Sequence, residues 1–337
     1  MNFIRLKREG FIPERDLILA LTADEEGGDF NGIDWLLKEH REWINAQYCV
    51  NLDGGEFERM KGKRVLAGLQ ASEKVYADFQ FETANPGGHS SVPGPDNAIY
   101  DLAAALTRLQ KFPFSVKISE ITRHYFKYSA TLTSGPLSED LRAVAKKPPD
   151  ESAIKRISAL PYYNSLLHTT CVATMLSGGH APNALPQAAR ANVNCRIFPG
   201  EDPEEVRKTL VRVVADEKVK VSVVPGKTAD GKSIPVVAVP ASPLLPEVTS
   251  ALEKTLASMW PRIPVVPTMS TGATDGKFLR IAGMPVYGIS CMFFDMEDNR
   301  AHGKDERVGV QDFYDGVEFN YDLMKELSNA RKPVSVP

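Results

Sequence analysis

Apolar and polar positions along the chain follow two periods, and the period changes partway through. The run Leu17-Ile18-Leu19-Ala20-Leu21 is continuously apolar, which predicts a short parallel strand buried on both faces. Residues 33–45 read as a helix, and 48–52 and 284–290 as further strands. Val248, Leu252, Leu256 and Met259 recur at helical spacing over 245–259, and Phe313, Val317, Met324 and Leu327 mark a last helix. From Val75 the texture changes. Val75, Ala77, Phe79 and Phe81 alternate with Tyr76, Asp78 and Gln80, the signature of a sheet with one covered and one open face. Asp96 is placed to cap a helix carrying Ile99, Leu102, Leu106 and Leu109. Val193, Cys195 and Ile197 alternate in a second strand, Asp202-Pro203-Glu204-Glu205 opens another helix as a capping box, and 219–224 is a third strand. Between these halves, 115–167 reads as mostly helical, broken at Pro148-Pro149.

The pattern is therefore α/β and two-domain. A discontinuous outer domain, 1–73 with 227–337, encloses an inserted α+β domain at 74–226 that carries the helical stretch. A length of 337 residues agrees, being more than one core usually serves. With 40 Lys and Arg against 43 Asp and Glu, the chain lacks the basic footprint of a nucleic-acid binder. No apolar run reaches the roughly 18 residues that span a bilayer, and the first residues carry scattered charge and no signal-peptide core. As written, the chain is expected in the cytoplasm. Cys49, Cys171, Cys195 and Cys291 are far apart with no CxxC pair, and read as buried thiols.

Three segments carry acids or a histidine where chemistry is expected. Asp24-Glu25-Glu26-Gly27-Gly28 follows the first apolar run, so adjacent Glu25 and Glu26 point different ways, one toward a metal and one toward a water. Taken alone, the segment has a plainer reading, a solvated acidic turn capping the next helix. Asn51-Leu52-Asp53-Gly54-Gly55 repeats the arrangement, with an Asx turn as its plainer reading. Ala301-His302-Gly303 sets an imidazole in a polar loop. Together Glu26, Asp53 and His302 are the mixed nitrogen and oxygen donor set of a catalytic zinc with a position left for water. Arg196 is suited to clamping a carboxylate or to a structural ion pair. The small polar loop Ser270-Thr271-Gly272-Ala273-Thr274-Asp275 could lie against a substrate backbone.

In order along the chain, Asp-Glu-Glu, Asp-Gly-Gly, Gly-Gly-His-Ser-Ser at 87–91, Asn-Ala-Leu-Pro at 183–186 with the later Arg196, and Ala-His-Gly resemble the co-catalytic zinc metallopeptidase family of aminoacylases, glutamate and S-type carboxypeptidases and succinyl-diaminopimelate desuccinylase. The enlarged middle region looks most like the carboxypeptidase S and secreted N-acyl-amino-acid hydrolase branch, whose members are often exported. The resemblance implies Glu25 as general base, Glu26, Asp53 and His302 as metal ligands, and His89 as a histidine that reaches the partner subunit's site and steadies the oxyanion. It implies substrate-binding roles for Asn183 and Arg196, to which the loop residues Thr271 and Gly272 are added, and a homodimer formed through the inserted lid.

The family's opening His-x-Asp motif and its bridging Asp find no counterpart: none of His40, His89, His124, His168, His180 or His302 has Asp two positions on. The expectation is a chain lacking the family's N-terminal segment, with one zinc site rather than two. It would be a hydrolase of small peptides or N-acyl amino acids with a free carboxylate. The rival readings are a non-catalytic dimeric remnant and a one-metal esterase-like hydrolase.

Overall fold

The computed structural model describes residues 1–26, 30–227, 233–298 and 300–329. Lys63–Glu73 and Val75–Ala84 are two long strands separated by a single residue, Lys74, and each is a central strand of a different sheet. Lys63–Glu73 belongs to a six-stranded mixed sheet. Val265–Ser270 runs parallel to it, Phe57–Met60 pairs antiparallel with its first half, and Val286–Gly288 meets it at Gln70. Cys49–Asn51 adds in parallel to Val286–Gly288, and Phe293–Asp295 to Phe57–Met60. Phe57, Leu66 and Leu69 are wholly buried here beneath the helices Pro246–Met259 and Val310–Asn329. Trp260 stacks on Phe319 with ring centroids 5.2 Å apart.

The second sheet has four antiparallel strands in the order Thr170–Gly178, Ala188–Ile197, Val75–Ala84, Val219–Val224. The expected alternation is present: Val75, Ala77, Phe79 and Phe81 are buried, and Tyr76 is exposed. The covered face packs on two helices, Ala98–Lys111 and Pro203–Val214, through Leu102, Leu109, Val206 and Leu210. Asp202 caps the second by accepting from the Glu204 N–H at 2.9 Å, with Pro203 in the first turn. The first helix is capped by Asn97, which accepts from the Ile99 N–H at 2.9 Å, and not by Asp96, which pairs with Lys218. Both side chains are good caps, and the one a residue closer to the helix takes the role.

The stretch 115–167 forms four helices, Glu120–Leu132, Gly135–Val144, Glu151–Ile157 and Pro161–Leu167, with Pro148 and Pro149 in the gap after the second. Their apolar side chains, among them Phe126, Leu141 and Ile157, share the core of the six-stranded sheet and not that of the four-stranded one.

Three further expectations fail. Residues 17–21 form no strand: Leu19 is 56% and Leu21 85% exposed. An all-apolar run becomes a central strand only where neighbours supply a hydrogen-bond ladder and cover both faces, and among the described residues nothing does so. Residues 33–45 divide at His40 into Gly32–Glu39 and Arg41–Ile44. The cysteines correct the thiol reading. Cys171 and Cys195 sit directly opposite in the antiparallel register and form a disulfide, while Cys49 and Cys291 are free. Burial raises both free thiols, to about 11 for Cys49 and about 12 for Cys291. No described helix is long and apolar enough to cross a membrane.

Candidate active site

A cavity of about 480 Å³ opens where the two sheets meet, and it gathers Glu25, Glu26, Asp53, Arg196, Gly272 and His302 from five separate parts of the chain. Each is held by local structure. Asn31 caps the helix Gly32–Glu39, accepting from the Ile33 and Asp34 N–H groups at 3.1 Å. Its own amide donates to Asp275, which ties the Glu25–Glu26 turn to the loop across the cavity. The Phe30 N–H donates to Asp24 at 2.6 Å and closes that turn. The remainder of the turn, 27–29, lies outside the described residues.

Asp53 follows the strand Cys49–Asn51 in the expected Asx turn, its N–H donating to Asn51 Oδ1 at 2.9 Å. The paired glycines are needed. Gly55 has a φ of +65°, which side chains rarely adopt, and a Cβ there would sit 1.9 Å from the Gly288 carbonyl oxygen. His302, also at positive φ, stands in a loop braced by Arg300 and Arg307 on Asp298. Its Nδ1 lies 4.0 Å from Glu26 Oε2, with both side chains more than three-quarters exposed. Arg196 projects from the open face of the four-stranded sheet, its guanidinium 4.8 Å above the Tyr76 ring.

Acids dominate this cavity: Glu25, Glu26, Asp53, Glu56 and Asp275 face Arg196, Lys277 and His302. Partial burial raises the Glu25 pKa, and the charges of Asp53, Asp275 and Glu26 raise it further. Asp275 is raised by burial, against the pull of its hydrogen bond from Asn31. The donors Glu26, Asp53 and His302 suit a divalent metal in type, and all three line the cavity. Only Glu26 and His302 approach each other, and among the described residues no three His, Cys, Asp or Glu side chains are gathered closely enough to hold an ion.

The other expected residues lie elsewhere. Thr271 does not line the cavity, although Ser270, Gly272, Ala273 and Thr274 do. His89 and Asn183 come together away from it, on the paired segments Gly88–His89 and Ala184–Leu185, where the Ser90 N–H donates to the Asn183 carbonyl at 3.0 Å. The Ser91 N–H donates to His89 Nδ1 at 3.2 Å, so this ring presents an Nε2 proton outward. Tyr76, Gln70 and Lys277 are cavity residues that sequence reading missed. Tyr76 had a signal, since it lies on the open face of the strand paired with the one bearing Arg196.

Residues 71–222 match the peptidase dimerisation domain of the M20 family. The chain is 28% identical over 338 residues to the probable carboxypeptidase S-like 2 of Dictyostelium discoideum, covering 95% of this chain and 61% of that protein. It is 26% identical over 349 residues to the human N-fatty-acyl-amino acid synthase/hydrolase PM20D1, covering 96% and 64%. The chain thus spans less than two thirds of the length of these relatives. Its mixed α/β fold is that of the M20 family metallo-carboxypeptidase Sso-CP2 from Sulfolobus solfataricus, with a TM-score of 0.57 at 15% identity over 90% of this chain and 68% of that one. Human carnosine dipeptidase 1 superposes with a TM-score of 0.51 at 15% identity, over 90% of this chain and 65% of that one.

Proposed function

We propose that the chain is an M20-type peptidase that hydrolyses the amide bond of a small peptide or N-acyl amino acid bearing a free carboxylate, a reading supported by the match of residues 71–222 to the peptidase dimerisation domain and by the carboxypeptidase S-like relative. The convergence of Glu25, Glu26, Asp53, Arg196 and His302 on one cavity carries this reading. Glu26 and His302, with Asp53 on the same cavity wall as a further donor, would hold the metal, for which zinc is the expected ion and one site the expected number. When bound, the metal polarises the scissile carbonyl and acidifies water.

Glu25 is the base. It takes a proton from the attacking water and returns it to the leaving amine nitrogen, and its raised pKa suits a group that must do both. Arg196 receives the substrate carboxylate through its guanidinium edge, with Tyr76 beneath holding that group flat. His89 does not line the cavity of its own chain and exposes its Nε2 proton, so the reading assigns it to the oxyanion in a second copy. That second copy docks through the inserted sheet. Thr170–Gly178 is an edge strand paired on one side only, and it exposes Val172, Met175 and Leu176.

The test is hydrolysis of a panel of N-acyl amino acids and dipeptides by the zinc-supplemented chain. Turnover is expected, falling about 10²- to 10⁴-fold in Glu25→Gln, with a raised KM in Arg196→Ala. No turnover across the panel by a folded, dimeric chain overturns the proposal. It would leave a second reading, a dimer-forming protein without catalysis, which the lack of a three-donor group among the described residues favours.

A further inference from the structure

A polar network lies buried under two of the loops that line the cavity. Gln70 Oε1 accepts from the Gly55 N–H at 3.2 Å, and Gln70 Nε2 donates to Glu73 Oε2 at 3.2 Å. That oxygen also accepts from the Thr274 backbone N–H at 3.1 Å and from the Thr274 hydroxyl at 2.9 Å. The other oxygen, Glu73 Oε1, faces Arg280 Nη1 at 2.9 Å. Arg280 is anchored in turn, donating Nε to Ser242 Oγ at 3.2 Å and Nη2 to the Val286 carbonyl at 3.0 Å. Gln70, Glu73 and Arg280 are at most 3% exposed.

Stability alone is a poor reason for such a pair. Taking a carboxylate and a guanidinium out of water costs about as much as their attraction returns, and well-packed apolar side chains of similar volume often do as well. Burial acts against both charged forms here, raising Glu73 and lowering Arg280. What the pair supplies is geometry. Glu73 ends the strand Lys63–Glu73, with one oxygen ion-paired to Arg280 and the other shared between Gln70 and Thr274. The Gly54–Gly55 turn rests directly on Gln70, since a Cβ at Gly54 would sit 2.3 Å from Gln70 Oε1. Thr274 leads into Asp275, which takes the Asn31 amide beside the Glu25–Glu26 turn.

We propose that Glu73 is a positioning residue: resting on the hydrolase reading above, it sets the Asp53–Gly55 turn against the Thr274–Asp275 loop, and so fixes the spacing of the cavity's acids. Neither Glu73 nor Arg280 lines the cavity itself, so any effect on turnover passes through the loops.

The test uses the full chain and two variants. Thr274→Val keeps the side chain's shape and the backbone donor but removes the hydroxyl. The double variant Glu73→Leu with Arg280→Met replaces the pair with apolar groups, which avoids leaving Arg280 buried alone. Hydrogen–deuterium exchange is followed by mass spectrometry. In the double variant, peptides covering 51–56 and 270–278 are expected to exchange about tenfold faster, the effect of losing a buried hydrogen bond. Peptides in Val75–Ala84 and Ala188–Ile197 should be unchanged, which separates positioning from general destabilisation. Thr274→Val should loosen 270–278 in the same sense. Unchanged exchange in either loop of the double variant overturns the inference. Where the parent turns over substrate, kcat should fall about tenfold or more with KM little moved, and an unchanged kcat with loosened loops also overturns it. A parent without turnover defeats the hydrolase reading alone, because exchange still decides whether Glu73 couples the loops.

Discussion

His302 Nδ1 lies 4.0 Å from Glu26 Oε2, although the two residues come from opposite ends of the chain. Both side chains are largely exposed, so neither is held there by packing, and their approach joins one imidazole and one carboxylate at the cavity mouth. A divalent metal is expected to bind this pair with Asp53 as a further donor, more weakly than a closed site with all ligands preset. Calorimetric titration with Zn²⁺ checks this. Binding to the parent should weaken about 10-fold or more in His302→Ala and in Glu26→Ala, and identical isotherms for all three proteins would remove both residues from the site.

The edge strand Thr170–Gly178 predicts the assembly. Its outer backbone groups have no ladder partner among the described strands, and Met175 and Leu176 are about 70% exposed on it. Lysine on such an edge opposes strand pairing. Met175→Lys is expected to convert a dimer to a monomer in light scattering at micromolar concentration, with the melting temperature of the monomer little changed. A parent that is already monomeric, or a dimer indifferent to the lysine, would place the interface elsewhere.

Much of this architecture is legible from residue order. The alternation of Val75, Ala77, Phe79 and Phe81 describes the inserted sheet because a period of two has one structural meaning when one face is covered. Asp53 and its glycines could be placed because a turn is local chemistry. What stayed hidden depends on register. Cys171 and Cys195 bond because antiparallel pairing sets them face to face, and spacing along the chain says nothing of that. Tyr76 reaches Arg196 across the adjacent strand pair, Val75–Ala84 with Ala188–Ile197. Glu73 is one acid among many along the chain, and only the fold brings a buried arginine from a distant helix to it. The run at 17–21 misled for the opposite reason, since composition predicts burial but the neighbours that would bury it are a tertiary matter.

Lys74, at the junction of the two sheets, is 1% exposed and donates to the His168 carbonyl at 2.6 Å. Burial lowers its pKa to about 7, with Arg196 adding to the shift and Glu201 opposing it. Because the folded value lies below the unfolded one, the unfolded chain binds the extra proton between the two. Stability contributed by neutral Lys74 therefore rises with pH from about 7 toward the ordinary lysine value. Urea unfolding of the parent and Lys74→Met checks it: the parent should gain on the order of 3 kcal/mol relative to the variant between about pH 6.5 and about pH 9.5. A pH-independent difference would mean that the ammonium stays charged in the fold.

Glu58 supplies the opposite sign. Burial raises its carboxyl to about 7, with Glu56 adding repulsion, and the phenols of Tyr125, Tyr128, Tyr162 and Tyr163 feel its charge. Here the folded chain holds a proton that the unfolded chain has released. The contribution is whole below the ordinary glutamate value and is lost as pH rises through about 7. Glu58→Gln keeps the shape and cannot ionise. Relative to the parent it should gain about 2 kcal/mol between about pH 4 and about pH 8, the shift being discounted for the partial exposure of the carboxyl. Denaturant midpoints at the two pH values measure the difference. A gain confined to the acid side would reverse the sign, and would show that Glu58 is stabilised as a carboxylate by its tyrosine neighbours.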